Sequence, residues 1–165
     1  MAQSSEVIYV PSGAGEGFLV VGDLNTVKLS GKDTGDAYAV WINAVAPGNG
    51  PPPHVHHREH EDFFILEGEF EIYREGQPPL RVGPGDFVHT PKGVTHTYRN
   101  IGTAVGRLLG LAVPAGIERF FAEVGQPAPG MTEPPPTLAA PTPEQVDYLL
   151  QAARKYGIEI KPPLS

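Results

Sequence analysis

The sequence predicts an all-β fold, an antiparallel sandwich or barrel, with a short helix and a C-terminal helix added. Three observations predict it. Sixteen of the 20 glycines and 10 of the 19 prolines lie in residues 1–115 and divide them into short apolar runs, and regular short runs between turn signals read as an antiparallel sandwich or barrel. Glu69-Phe70-Glu71-Ile72-Tyr73 alternates polar and apolar residues as a half-buried strand does. There is no cysteine, so neither disulfides nor a zinc ribbon holds the fold, and burial must do so, together with any His/Glu metal site.

The runs follow in order: 17–22, 37–46, 63–66, 70–73, 87–90, 95–99 and 106–113. Arg107 to Val113 is apolar on both faces, as a central strand would be. Two turn-rich stretches, 47–53 and 83–86, each stand just upstream of a histidine-bearing segment. Ile117, Phe120, Phe121 and Val124 have helical spacing, and Gln126 to Thr142 is a proline-rich connector with little capacity for regular structure. A last helix is well marked. Thr142 suits the N-cap, Pro143 the first helical position and Gln145 the capping box; Val146, Leu149, Leu150 and Ala153 form an apolar stripe, and Gly157 is placed to end the helix. The expected organisation is one domain: 1–125 as the barrel with its short helix, and 126–165 as connector and C-terminal helix, packed on the barrel or on a partner subunit. A chain of this length buries roughly two-thirds of its unfolded surface, enough for a full core.

A net charge of -7 and 12 scattered Lys and Arg residues argue against a nucleic-acid partner and an anionic membrane. The start, MAQSSEVIYV, has no basic and apolar leader, and no stretch approaches the ~20 apolar residues of a spanning helix. The expected location is cytoplasmic. Exposed apolar strands and the striped final helix favour a homodimer.

The densest chemistry is His54-Val55-His56-His57-Arg58-Glu59-His60-Glu61, with His96 further on. Alternate side chains of a strand share a face, so His54 and His56 project together with Cα atoms roughly 6.7 Å apart, a span that two imidazoles can close over one ion. Glu61 lies an odd number of residues on and rejoins that face only if the chain turns between His57 and His60. His96 comes from a separate strand beyond Pro91-Lys92-Gly93. The four groups would thus converge from three strands of a closed sheet.

These positions carry a resemblance. HVHHREHEDFFILEG, His54 to Gly68, is similar to the first cupin motif, and GDFVHTPKGVTHTYRN, Gly85 to Asn100, to the second, with 16 residues between them. The resemblance implies a single antiparallel β-barrel of jelly-roll type in which His54, His56, Glu61 and His96 ligate one divalent transition metal per chain, whether Fe, Ni, Mn, Co, Cu or Zn. His57 and His60 fall in the turn, solvent-facing or behind the ligands, with His60 an alternative to Glu61. His89 faces either the cavity or the outside.

Three imidazoles and one carboxylate leave coordination positions open, the mark of a catalytic rather than a structural site. By strand parity Phe63 and Tyr98 point toward the metal cavity, whereas Tyr38 and Trp41 have opposite parities, so only one of them can. The cavity is expected to be apolar and aromatic. Arg58, Lys92 and Arg99 sit in turns or on the wrong parity, which counts against a phosphosugar substrate. Gly48 to Glu59, Pro114 to Phe121 and Arg154 to Ile158 resemble the small quercetinase-like cupins. That resemblance implies a dioxygenase acting on a flavonol or related enolic aromatic compound with dioxygen, Glu61 serving as ligand and as catalytic base. The alternatives are a non-catalytic cupin that binds metal or a small ligand, and a metal-dependent sugar isomerase or epimerase.

Overall fold

The computed structural model describes residues 6–135 and 140–163; the middle of the proline-rich connector, 136–139, lies outside the described residues. The elements run β1 (Glu16–Val20), β2 (Asp23–Leu29), α1 (Gly31–Thr34), β3 (Ala39–Val45), β4 (His54–His56), β5 (His60–Glu67), β6 (Phe70–Arg74) and β7 (Gln77–Val82). Then come β8 (Phe87–Thr90), β9 (His96–Asn100), β10 (Gly106–Val113), α2 (Ile117–Val124), β11 (Gln126–Pro127), α3 (Pro143–Lys155) and β12 (Ile158–Ile160).

Among the described residues the strands form two antiparallel sheets and no closed barrel. One has the order β11-β1-β2-β3-β10-β5-β8, the other β12-β4-β9-β6-β7. This corrects the expected single barrel, and the reason is local. The chain leaves one sheet at His56 and enters the other at His60, so residues 57–59 are a crossing rather than a ladder. The core fills the space between, with Val45, Phe63, Ile65 and Leu108 from the larger sheet meeting Phe70, Ile72 and Tyr98 from the smaller. Phe120, Phe121 and Ala152 of the helices extend the same cluster.

Several elements follow from local chemistry. Val21 and Gly22, both at positive φ (51° and 93°), make the two-residue turn that the twist of the β1–β2 hairpin demands. β7 contains Pro78 and Pro79 and lies at a sheet edge, where missing amide donors are tolerated. β10 sits between β3 and β5, in the central place its sequence suggested. Thr142 caps α3 through the full capping box, and Gly157 follows it at φ 77°. The connector is more regular than expected at its start, where β11 pairs with β1. After α3, β12 pairs with β4, setting Ile158 opposite His56 and Ile160 opposite His54. No helix among the described residues is long and apolar enough to cross a membrane.

Gly110 of β10 lies opposite Trp41 of β3, and a Cβ there would stand 2.2 Å from the indole ring. Gly110→Ala is therefore expected to cost about 1–3 kcal/mol through overpacking, read as a lowered urea midpoint with an unchanged slope.

Candidate metal centre

The loop 47–53 delivers the first ligand. It runs along β9, with Gly48 and Asn49 exchanging backbone hydrogen bonds with Asn100 (2.8 and 3.0 Å) and the Thr97 hydroxyl donating to the Pro51 carbonyl (2.5 Å). Gly50 permits this approach, since a Cβ there would lie 1.9 Å from the Tyr98 carbonyl oxygen. His54 then pairs directly across from His96. Glu61 enters from β5 in the other sheet, so the four groups meet from three strands of two sheets.

His54, His56, Glu61 and His96 are all buried, and one donor atom from each lies within 4.8 Å of the other three. Donors round a single ion at ~2.0–2.2 Å stand ~3–4 Å apart, so small side-chain adjustments bring these four to one ion. The imidazoles are pre-oriented. Nδ1 of His54 faces the Pro52 carbonyl (2.8 Å), that of His96 the Val94 carbonyl (3.1 Å) and that of His56 the Glu59 carboxylate (2.7 Å). With Nδ1–H donating, each ring turns its Nε2 inward, the arrangement by which outer partners fix a ligand's tautomer once an ion is bound.

The inward nitrogens surround Glu61 Oε2, with His96 at 2.9 Å, His56 at 3.2 Å and His54 at 3.7 Å. The His56 contact lacks hydrogen-bond geometry, leaving His56 Nε2 a buried polar atom without a hydrogen-bond partner. Such an orphan is costly unless an ion claims it. The donor set therefore fits a divalent ion, and these four residues could hold one.

Electrostatics agrees. Burial works against charge on His56, but the carboxylates of Glu61 and Glu59 overcome it and push its pKa up to about 10. Burial would raise Glu61, yet charged His56 and the other imidazoles gathered round its carboxylate hold it well below the usual carboxylate range. Burial lowers His54. The metal-free cluster thus keeps a proton on His56 at neutral pH where an ion would sit. Metal uptake should expel that proton and tighten as pH rises, which calorimetry in buffers of different ionisation enthalpy will show.

Glu59 is the residue that sequence reasoning missed, left in the turn without a role. It is 3% exposed and orients His56; its signal was the i, i+3 spacing to that histidine. Glu59→Ala is expected to weaken metal binding by ~10–100-fold, as loss of outer partners does, measured by competition with a chelator.

The remaining candidates separate. Trp41 and Tyr98 line a cavity of about 70 Å³ together with His54, His56 and Glu61. Tyr38 is 37% exposed and stands outside the lining, which resolves the parity choice in favour of Trp41. Phe63 has the inward parity expected but packs deeper, against His96 and Tyr98, without lining the cavity. His57 is exposed and pairs with Glu159 at 2.9 Å. His60 does not compete with Glu61, since its ring stacks on exposed His89, which bonds Asp62 at 2.5 Å. The rest of the lining is mostly apolar, from Val20, Ile117, Phe120, Phe121, Leu149, Ile158 and Ile160, with a polar side formed by Asp23, Asn25 and Asn43. Neither Lys nor Arg is among the lining residues.

Residues 41–113, which carry all four donors, match the cupin domain family. The chain is 28% identical over 152 residues to quercetin 2,3-dioxygenase from Bacillus subtilis, covering 92% of this chain and 43% of that protein. It is 44% identical over 64 residues to dimethylsulfoniopropionate lyase DddQ from Ruegeria pomeroyi, covering 39% of this chain and 31% of that one. The chain thus spans less than half the length of either relative. In fold it is similar to a predicted oxalate decarboxylase from Thermotoga maritima, with TM-score 0.60, 21% identity, and coverage of 65% of this chain and 99% of the other.

Proposed function

We propose that the protein is a metal-dependent dioxygenase acting on an enolic substrate, a flavonol or a smaller compound with the same hydroxyketone group. The observation that carries this reading is the placement of three of the four donors, His54, His56 and Glu61, on the wall of a small, mostly apolar, aromatic cavity lined by neither Lys nor Arg. His54, His56, Glu61 and His96 would hold the ion. A first-row divalent ion supplies Lewis acidity toward the substrate's oxygen and, where redox-active, a path to dioxygen. Trp41 and Phe121, in edge contact at 5.5 Å, offer apolar surface to a flat substrate and exclude water. The partial similarity to quercetin 2,3-dioxygenase supports the same choice.

Cavity size favours a second reading. Drug-sized ligands occupy sites of ~300–1,000 Å³, several times the cavity of about 70 Å³. A flavonol enters only if Leu149 of α3 and Ile158 and Ile160 of β12 move aside. The lyase relative accordingly supports a non-oxidative reaction on a small substrate. Oxygen uptake by protein reconstituted with each first-row metal, assayed with quercetin and with maltol, separates the two. Uptake dependent on added metal is expected; no uptake with any metal overturns the dioxygenase reading.

A further inference from the structure

Asp23 is a carboxyl in the same cavity for which the reading above has no use. It is 3% exposed, at the start of β2, and neither Lys nor Arg lines the cavity with it. Oδ1 accepts a hydrogen bond from Asn49 in the β3–β4 loop (2.7 Å), and Oδ2 lies 3.3 Å from the Tyr98 hydroxyl of β9. The other titratable groups lining the cavity are His54 and His56 of β4 and Glu61 of β5. A buried carboxyl without such a partner is costly to keep. It is delivered, moreover, by a strained turn, since Val21 is β-branched and holds φ at 51°. Strain and an uncompensated carboxyl meeting at one cavity wall point to a role there.

Resting on the enolic-substrate reading, we propose that Asp23 accepts the proton that the substrate's hydroxyl gives up on binding, with the Tyr98 hydroxyl as the bridge between them. The hydroxyl's O–H bond breaks, its electron pair stays on the substrate oxygen, the Tyr98 hydroxyl passes a proton on as it receives one, and a new O–H bond forms on Asp23. Glu61 is less available for this task, because its Oε2 is already surrounded by three imidazole nitrogens. Asp23 has the proton affinity that the task requires. Burial outweighs its hydrogen bonds from Asn49 and Tyr98 and raises its pKa to about 7, so the carboxylate form is available at mildly alkaline pH. The substrate class that follows is a neutral hydroxyketone. An anionic tail would meet the Asp23 carboxyl with neither Lys nor Arg in the lining to pair with it.

The test is proton counting by calorimetry, titrating maltol into Zn²⁺-loaded protein in two buffers of different ionisation enthalpy. Zn²⁺ has no redox chemistry, so the result is independent of whether the protein turns over dioxygen, and zinc content is verified first. At pH 8 the wild type is expected to release almost no proton on binding maltol, because Asp23 takes it. At pH 6, where Asp23 already carries a proton, the wild type should release one. Asp23→Asn should release one at both pH values with unchanged zinc content, and Asp23→Glu should recover the wild-type pattern. One proton released by the wild type at pH 8, the same count in wild type and Asp23→Asn, or no binding of maltol each overturns the proposal.

Discussion

Glu61→Gln is expected to lower divalent-metal affinity by more than ~100-fold, beyond the loss typical of an outer partner. The substitution keeps side-chain volume and removes the anion. Glu61 is 4% exposed, and its Oε2 stands within 3.7 Å of all three inward-facing Nε2 atoms. It is the ligand carboxylate that balances the ion's charge, and an amide there would direct N–H groups at nitrogen lone pairs meant for the metal. The same change removes the counter-charge that keeps His56 protonated without metal, so the variant should also release less than one proton per ion taken up. Metal content after dialysis against a weak chelator reads the first effect and calorimetry the second.

Trp41→Ala should be the most damaging core substitution, destabilising the protein by about 3–5 kcal/mol. The indole is 1% exposed, contacts Phe121 edge-on and covers Gly110, where β10 has no side chain of its own. Its Nε1–H donates to Asn43 Oδ1 at 2.5 Å, and Asn43 in turn donates to Asn25 at 2.5 Å. Truncation therefore opens a void and also leaves a buried acceptor unpaired, two costs that add. Urea unfolding of the metal-free variant isolates this packing effect from metal linkage. Because Trp41 touches the cavity and not the ion cluster, metal affinity should change far less than stability.

The parts of this protein legible in its sequence are those set by short-range patterns. The His54/His56 alternation and the turn before Glu61 name three of the donors that the structure brings together, and α2 and α3 begin and end where their spacing and caps place them. What escaped depended on long-range pairing. Pro78 and Pro79 hid β7, because nothing local reveals that this segment lies at an edge. The division into two sheets turns on which strands hydrogen-bond across 57–59, which strand periodicity does not encode. Asp23, Asn25 and Asn43 looked like ordinary turn and strand polar residues. Only the β2–β3 register, which sets Asn25 opposite Asn43, turns them together into the cavity. Glu59 was passed over for the same reason, since a charged residue in a turn is usually solvated and its burial beside His56 is a tertiary fact.

The central claim is that His54, His56, Glu61 and His96 hold one ion. X-ray absorption on protein loaded with a single equivalent of Co²⁺ tests it most directly. The account predicts a shell of nitrogen and oxygen donors with imidazole multiple scattering from three rings in the wild type, and a reduced imidazole contribution in His96→Ala. A wild-type spectrum without imidazole scattering, or one unchanged by His96→Ala, would contradict it.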